Sequence, residues 1–389
     1  MRRRLSIHLV AWVVGIAVIR VGVVPPEVCG PDADAPAVAA SITGAVDWIV
    51  DNQFESGRYT YGYDATTDEV NPAYNPARHG GVTMSLYQTA LWFDEGALGA
   101  ADRGLAYVLD EIVERDGWLA WRPAGQDIPV GANALLLAGL TYRRELTGDP
   151  LHDDLMRGIA GFLVAQQQPD GSVFAYYDPR VDEVRPVYGL FATGEASWAL
   201  ARMERLFPGE GWGEAASATL TYMATERDRV EGRLTRLPDH WAAYTLSEMD
   251  PADVTEVQRE YARDLAGFFG IRLRFEAQRR GTGLNLLLRW YPGPPAGVGT
   301  AGEGMAALWR LALRDPGLSD LVPAMEERIL CTAGFSIDRQ VAGGAASAYP
   351  RPELADGAWF YRGYTQMDGQ QHVLSTMLGA WQVLEERTG

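Results

Sequence analysis

The 389-residue chain contains no lysine, so all 34 of its Lys/Arg cations are arginines. Mechanisms that need a lysine, Schiff-base chemistry above all, are thereby excluded. Cysteine is almost as scarce: Cys29 falls in a linker and Cys331 in a helical stretch, so a structural disulfide is not implied. No Cys-x-x-Cys or His-x-x-x-His pair occurs, and neither a metal site nor a cofactor is expected. Basic blocks are missing beyond Arg2-Arg3-Arg4, and 51 acidic residues bring the formal charge to −17. A nucleic-acid partner, which requires clustered cations, is excluded. A hydrophobic content of 47% excludes disorder and leaves enough apolar side chains for a large core.

The arginine triplet precedes Leu5 to Val24, an apolar run broken only by Ser6, His8 and Arg20, and then Pro25-Pro26. This is the pattern of an export signal, either a signal peptide or a signal anchor. Ala37-Val38-Ala39 offers a small-residue cleavage pattern, and Pro26-Glu27-Val28 before Cys29 does not form a lipobox. Residues 1–35 are assigned to the signal or anchor plus linker and 36–389 to one domain facing outside, an extracytoplasmic location in which the N-terminal segment is the only membrane contact.

Residues 57–74 line up without a gap on residues 171–188: Tyr63-Asp64, Asp68-Glu69-Val70, Pro72 and Tyr74 recur as Tyr177-Asp178, Asp182-Glu183-Val184, Pro186 and Tyr188. The chain therefore contains duplicated units. Looser copies repeat one order: an amphipathic helix, a Gly-x-aromatic turn, a short extended loop, and an apolar helix rich in small residues. The turn glycines are Gly57, Gly117, Gly171, Gly232, Gly283 and Gly357. The second helices are predicted over 80–92, 130–145, 192–206, 241–249, 302–313 and 370–386. They are apolar around most of their circumference, as enclosed helices are. First helices such as 42–53, 105–114, 151–167 and 256–280 carry charge on one face and form an outer layer. Acids Asp64, Asp68, Asp178 and Asp182 are expected at solvated turns.

Gln167-Gln168-Pro169-Asp170-Gly171-Ser172-Val173-Phe174, with Asn52-Gln53 to Gly57-Arg58-Tyr59 as a second instance, resembles the Gln-x-x-x-Gly-x-aromatic repeat of terpenoid cyclases and prenyltransferases. The resemblance implies an all-α fold, the (α/α)6 toroid of six helical hairpins, which six-hairpin glycosidases, polysaccharide lyases and uronyl epimerases share. It spans roughly residues 40–389 and names no single family.

In such a ring the loops leading into the inner helices converge on a central cavity. Here they carry Arg78-His79, Asn133, Glu195, Asp239-His240-Trp241, Glu303, Asp368 and His372. Three of the five histidines lie at these positions. A ring would gather them into one confined site, where titratable groups shift one another. His79, Glu195, Asp239, His240, Asp368 and His372 are the catalytic candidates. Arg78, Tyr74, Asn133, Tyr188, Trp241, Glu303, Trp359 and Tyr361 are the substrate-binding candidates. Taken singly, Asp239 and Asp368 also suit helix caps, and Glu195 and Glu303 the dipole of a helix start. Aromatic rings such as Trp241, Trp290 and Tyr361 would stack on pyranoses, and arginines such as Arg78, Arg289 and Arg362 suit carboxylates.

The expectation is an exported carbohydrate-active enzyme with an oligo- or polysaccharide as its partner, protein partners being unspecified. Glycoside hydrolysis by two carboxyls is favoured over a uronate lyase or epimerase using histidine and arginine. A terpenoid cyclase or prenyltransferase is the weaker alternative, because the Asp-x-Asp-Asp motif is missing. A non-catalytic glycan-binding or scaffold protein is the remaining one.

Overall fold

The computed structural model describes residues 2–19, 26–232, 237–279 and 291–388; Gly283, Arg289 and Trp290 lie outside the described residues. Helix α1 (Arg2–Val18) precedes the main body, and Leu9, Val10, Trp12, Val13 and Ile16 stand exposed on it. Among the described residues no helix is long and apolar enough to cross a membrane.

Among the described residues, twelve principal helices follow as six hairpins. The outer members are α2 (Ala35–Asp51), α4 (Leu98–Leu109), α6 (Asp153–Gln166), α8 (Trp212–Thr225), α11 (Glu256–Ala277) and α13 (Val322–Arg339). The inner members are α3 (Pro76–Trp92), α5 (Val130–Thr147), α7 (Ala192–Leu206), α10 (His240–Glu248), α12 (Pro295–Ala312) and α14 (Met367–Thr388), and a single turn, α9 (Arg227–Val230), links α8 to α10. Each inner helix packs on the next, and α14 returns to pack on α3, closing the ring. Enclosure explains the composition: every residue of α5 from Val130 to Tyr142 is buried. The outer helix α4 buries only Ala100, Ala101, Gly104, Leu105 and Val108, the single stripe expected of an outer layer.

The six predicted inner helices are all present, although α3, α12 and α14 start earlier. In α3 the reason is local, since Asn75 caps the helix by accepting the Arg78 N–H and Pro76 occupies its first turn. The stretch predicted as helix over 105–114 departs more. Helix α4 stops at Leu109, and β3 (Ile112–Arg115) pairs antiparallel with β4 (Trp118–Trp121). Asp116 and Gly117, both at positive φ, make the tight turn between them, and the β-branched Ile112 and Val113 prefer the strand.

The duplicated segments fold alike. Strand β1 (Gly62–Asp64) pairs with β2 (Glu69–Val70), and β6 (Tyr176–Asp178) with β7 (Glu183–Arg185), after the short β5 (Ile128–Pro129). Asp68 and Asp182 accept hydrogen bonds from Tyr63 and Tyr177 at the turns, but Asp178 is not the solvated acid expected: it is buried at the end of β6, where Arg180 and Arg185 pair with it. Strand β8 (Tyr364–Gln366) pairs with β1, joining the last hairpin to the first.

The Gln-Gly motif is a staple between neighbouring hairpins. Gln53 donates to the carbonyls of Gly57 and Ala100, and Gln167 to Ala215 in the next outer helix. Gln340 does the same to Ser41 and Gly357, across the closure of the ring. Gly57 and Gly171 sit at φ +86° and +88°, and a Cβ there would lie 2.0 and 2.6 Å from the carbonyl oxygens of Arg103 and Ala218. Both the backbone conformation and the close approach require glycine.

Cys29 and Cys331 form a disulfide, which their sequence positions did not imply. Sequence separation hides their proximity, because residues 26–34 run back along the outer layer. Glu27 pairs with Arg274 (2.9 Å) and Arg328 (2.5 Å), and the Val28 N–H donates to the Ala277 carbonyl.

Candidate active site

The N-terminal turns of all six inner helices line one cavity of about 420 Å³ at the end of the ring. Helix α3 supplies Arg78, α5 Leu135, α7 Glu195, α10 His240 and Trp241, α12 Thr300, and α14 Asp368, Gln371 and His372. Six helix starts present their positive dipole ends here, which favours carboxylates in the wall. Of the predicted catalytic residues, Glu195, His240, Asp368 and His372 therefore meet in one place. Of the predicted binding residues, Arg78 and Trp241 join them.

The centre is a chain of charge. The Nδ1–H of His372 donates to Glu303 Oε1 at 2.5 Å, and its Nε2 lies 3.5 Å from Asp368 Oδ1. Burial opposes charge on this imidazole, but Glu303 and Asp368 outweigh it and raise its pKa to about 10. Asp368 in turn is held below the usual carboxylate range, against burial, by His372 and by Arg78, whose Nε is 3.5 Å away. Glu303 accepts a second hydrogen bond from Tyr244 (3.1 Å), while burial raises its pKa.

His240 contrasts with His372. Their rings are 5.2 Å apart and nearly perpendicular. His240 is buried, and burial, the charge on His372 and then Arg272 push its pKa well down. Among the described residues both its nitrogens lack a hydrogen-bond partner; Nε2 comes within 3.4 Å of Glu303 Oε1 without hydrogen-bond geometry. A buried, neutral imidazole with an unused lone pair has the makings of a base.

Glu195 completes the set. No described group donates a hydrogen bond to it, and burial, reinforced by Asp239, raises its pKa to about 8, so it is protonated at neutral pH. Gly131 makes room for it, since a Cβ at that position would lie 2.0 Å from Glu195 Oε2.

His240, Glu303 and His372 also bring three potential ligand atoms within 4.8 Å of one another. The proton shared between His372 and Glu303 occupies the lone pair an ion would need, so the cluster reads better as a proton relay.

Other predicted residues lie elsewhere, each for a visible reason. His79 is buried among Tyr59, Tyr74, Tyr107 and Trp121, donates from Nε2 to the Gly104 carbonyl (2.8 Å) and accepts from Tyr74 (2.6 Å). Burial pushes its pKa down to about 4, so it stays neutral. Tyr74 is thus its structural partner. Asn133 clamps Trp121 through both backbone groups, as Gln370 does Trp359. Trp359 and Tyr361 line a separate hollow of about 340 Å³, and Tyr188 packs on Phe174. Asp239 caps α10 by accepting the Trp241 N–H and pairs with the buried Arg227 behind the cavity wall.

Sequence reading missed Gln371, Tyr244 and Arg272. Tyr244 follows His240 by one helical turn and so shares its face, a signal that was there to use. Arg272 reaches the rim from outer helix α11, outside any inner-helix pattern.

No protein-family description and no curated protein matches the chain. Solved structures do match over almost their whole length. Cellobiose 2-epimerase from Spirochaeta thermophila DSM 6192 superposes with a TM-score of 0.64 at 12% identity, covering 91% of this chain and 97% of its own. A D-mannose isomerase gives 0.61 at 13% identity, covering 90% and 97%. A glycoside hydrolase family 76 mannosidase from Bacteroides thetaiotaomicron VPI-5482 gives 0.62 at 11% identity, covering 90% and 100%. The chain has the (α/α)6-toroid fold these proteins share, as its repeats lead one to expect.

Proposed function

We propose that this chain is an exported carbohydrate-active enzyme that moves a proton at the carbon beside a sugar carbonyl, as an epimerase or aldose–ketose isomerase acting on a mono- or disaccharide. The observation that carries the reading is the histidine pair: His240 neutral with both nitrogens unpartnered and His372 charged, their rings 5.2 Å apart in the wall of one small cavity. Such a reaction needs a neutral base to take a proton from the carbon and an acid to return one.

In the step we infer, His240 takes the proton from C2 of the open-chain sugar. The C2–H electron pair forms the C1–C2 double bond, and the carbonyl oxygen takes the proton of Glu195 as the enediol forms. Rotation about C2–C3 turns the other face of the enediol to the histidines; proton return from His372 to C2, with the C1 oxygen proton going back to Glu195, yields the epimer, proton return at C1 with the C2 hydroxyl proton going to Glu195 yields the ketose, and exchange with water restores both histidines. Arg78, placed by Asp368 and Tyr61, supports negative charge on oxygen. Trp241 offers an aromatic surface to the ring. The names of two matching structures, an epimerase and an isomerase, agree with this chemistry.

Sequence alone favours hydrolysis, and one observation keeps that as a second reading: Glu195 is protonated while Asp368 is ionised, the acid and base a glycosidase requires. The epimerase reading ranks first because Asp368 is engaged by His372 and Arg78. A prenyl substrate would have to strip water from these charges without replacing it, which disfavours the cyclase alternative. Export is supported by the Cys29–Cys331 disulfide, since such bonds persist in oxidising compartments.

The test is NMR of glucose, mannose, cellobiose and mannobiose incubated with the protein in D2O. Deuterium at C2 together with a new epimer or ketose, lost in His240→Asn, is the expected result. Shorter saccharides without C2 deuterium would establish hydrolysis instead, and no change in any sugar would favour a binding protein.

A further inference from the structure

Helix α14 carries two neighbouring glutamines, and the fold uses the amide of one. Gln370 is fully engaged: its Oε1 accepts the Trp359 N–H at 3.1 Å, and its Nε2 donates to the Trp359 carbonyl (2.9 Å) and to Thr365 (2.7 Å). The other amides buried on the inner helices are engaged as well. Asn133 holds Trp121, and Gln88 accepts from Ser375 (3.2 Å) while donating to Tyr142 (3.2 Å). Gln371 is the exception. It forms part of the cavity wall, is only 3% exposed, and its Nε2 has no hydrogen-bond partner among the described residues. Its amide rests against Gly81 of α3, where a Cβ would lie 3.2 Å from Gln371 Oε1 and 3.7 Å from Leu135 of α5. A buried amide left unpaired costs free energy that a ligand hydroxyl in the cavity would offset.

We propose that Gln371 is a substrate-binding residue that sets which sugar the cavity accepts, its Nε2 donating to a hydroxyl on C3, C4 or C6 of an aldohexose. The assignment rests on the reading of the cavity as a sugar site. In the order of the ring α3 stands opposite α10, so the wall where Gln371 leans on Gly81 lies across the cavity from His240. Glu195, His240 and His372 act on C1 and C2, which leaves Gln371 for the carbons beyond them. Leu135 beside it offers no hydrogen bond, and Arg78 on the same side is held by Asp368 and Tyr61. A site that hydrogen-bonds a substrate hydroxyl rejects the analogue that lacks it, because its own buried group is then left unpaired. Gln371 thereby selects a hexose over one of its deoxy forms.

Calorimetry of the full chain with glucose and mannose identifies the tighter ligand, whose 3-, 4- and 6-deoxy forms are then compared on the unmodified chain, on Gln371→Met and on Gln371→Leu. The unmodified chain is expected to bind one deoxy form about tenfold or more weakly than the parent sugar. Both variants should bind the parent sugar about tenfold or more weakly and show no further loss with that deoxy form, the non-additivity expected of direct partners. Gln371→Met, which keeps the length of the side chain, should melt no lower, since no bond within the protein is lost. Unchanged affinity for the parent sugar in both variants would overturn the proposal, as the mark of an amide that serves only a bound water. A lowered affinity with the full deoxy penalty retained would overturn it as well, leaving Gln371 a structural role. Binding is read separately from turnover, so a chain that binds the hexose without placing deuterium at C2 sinks the epimerase reading alone, and one that binds neither hexose overturns both.

Discussion

Glu303 and His372 come from adjacent inner helices and share a proton across 2.5 Å, Glu303 fully buried and His372 nearly so at the cavity wall. Each is the reason the other carries charge. Replacing Glu303 with Gln keeps a hydrogen-bond acceptor of the same shape and removes the charge. The His372 pKa should then fall from about 10 toward its ordinary value. Breaking one side of a buried pair costs about 3–5 kcal/mol, so the variant should also melt earlier. Histidine NMR titration and a thermal melt check the two effects, and an unmoved His372 pKa would show that Asp368 alone holds the proton.

The buried titrations predict an asymmetric stability profile. Glu195, raised to about 8, and His372, raised to about 10, bind protons more tightly when folded. Their stabilisation is complete below their unfolded pKa values and fades as pH rises through the folded ones. Above about pH 6.5 both act together, each removing about 1.4 kcal/mol per pH unit, until Glu195 is spent near 8. His79, depressed to about 4, works in the opposite sense: its contribution is present above 6.5 and is lost as pH falls toward 4. Denaturant unfolding from pH 4 to 10 should therefore show its steepest loss between 6.5 and 8. Glu195→Gln should halve that slope, and an unchanged slope would mean Glu195 is ionised in the folded chain.

Gly131 has a role that depends on close approach alone. Its α5 position contacts Glu195 at a distance that leaves no space for a methyl group. Gly131→Ala should push the Glu195 carboxyl toward solvent, lower its pKa and cut turnover by about tenfold or more, the equivalent of about 1.4 kcal/mol in the barrier. Stability should change by only about 1–3 kcal/mol, the usual range for one added methyl group in a packed site. Steady-state kinetics beside a melt separates the two effects, and full activity would place Glu195 outside the chemistry.

The fold was legible because a toroid repeats itself. The 57–74 and 171–188 match, the Gln-Gly staples and the small-residue inner helices all express the same local packing, so any copy predicts the others. The site was legible in part for the same reason, since Glu195, His240, Asp368 and His372 each occupy an inner-helix start. What sequence could not show was direction. His79 sits at an equivalent start yet turns outward, because Tyr74 and the Gly104 carbonyl satisfy both its nitrogens. Asn133 looks like a ligand-binding amide until Trp121 is seen to use both its ends. Contacts between residues distant in the chain decided these cases, as they did for the disulfide.

Asp239 shows how a residue can matter to the site without touching a substrate. It is fully buried, receives Arg227 and caps α10, which positions His240 immediately after it. Arg227 also donates to the Leu190 carbonyl (2.7 Å) and pairs with Glu231 (3.2 Å), so the guanidinium is anchored on three sides. Arg227→Met strands a buried carboxylate and should destabilise by about 3–5 kcal/mol. Asp239→Asn keeps the cap and removes the charge that, after burial, raises the Glu195 pKa. It should lose stability too, but turnover should survive with its alkaline limit moved to lower pH as Glu195 ionises more readily. In the double variant the two losses should fall short of their sum by about 0.5–3 kcal/mol, the coupling expected of direct partners. A pH–rate profile alongside the unfolding cycle decides the matter: abolished turnover in a folded Asp239→Asn chain would make this carboxylate a participant in the reaction, and a shifted profile makes it the group that sets the acidity of Glu195.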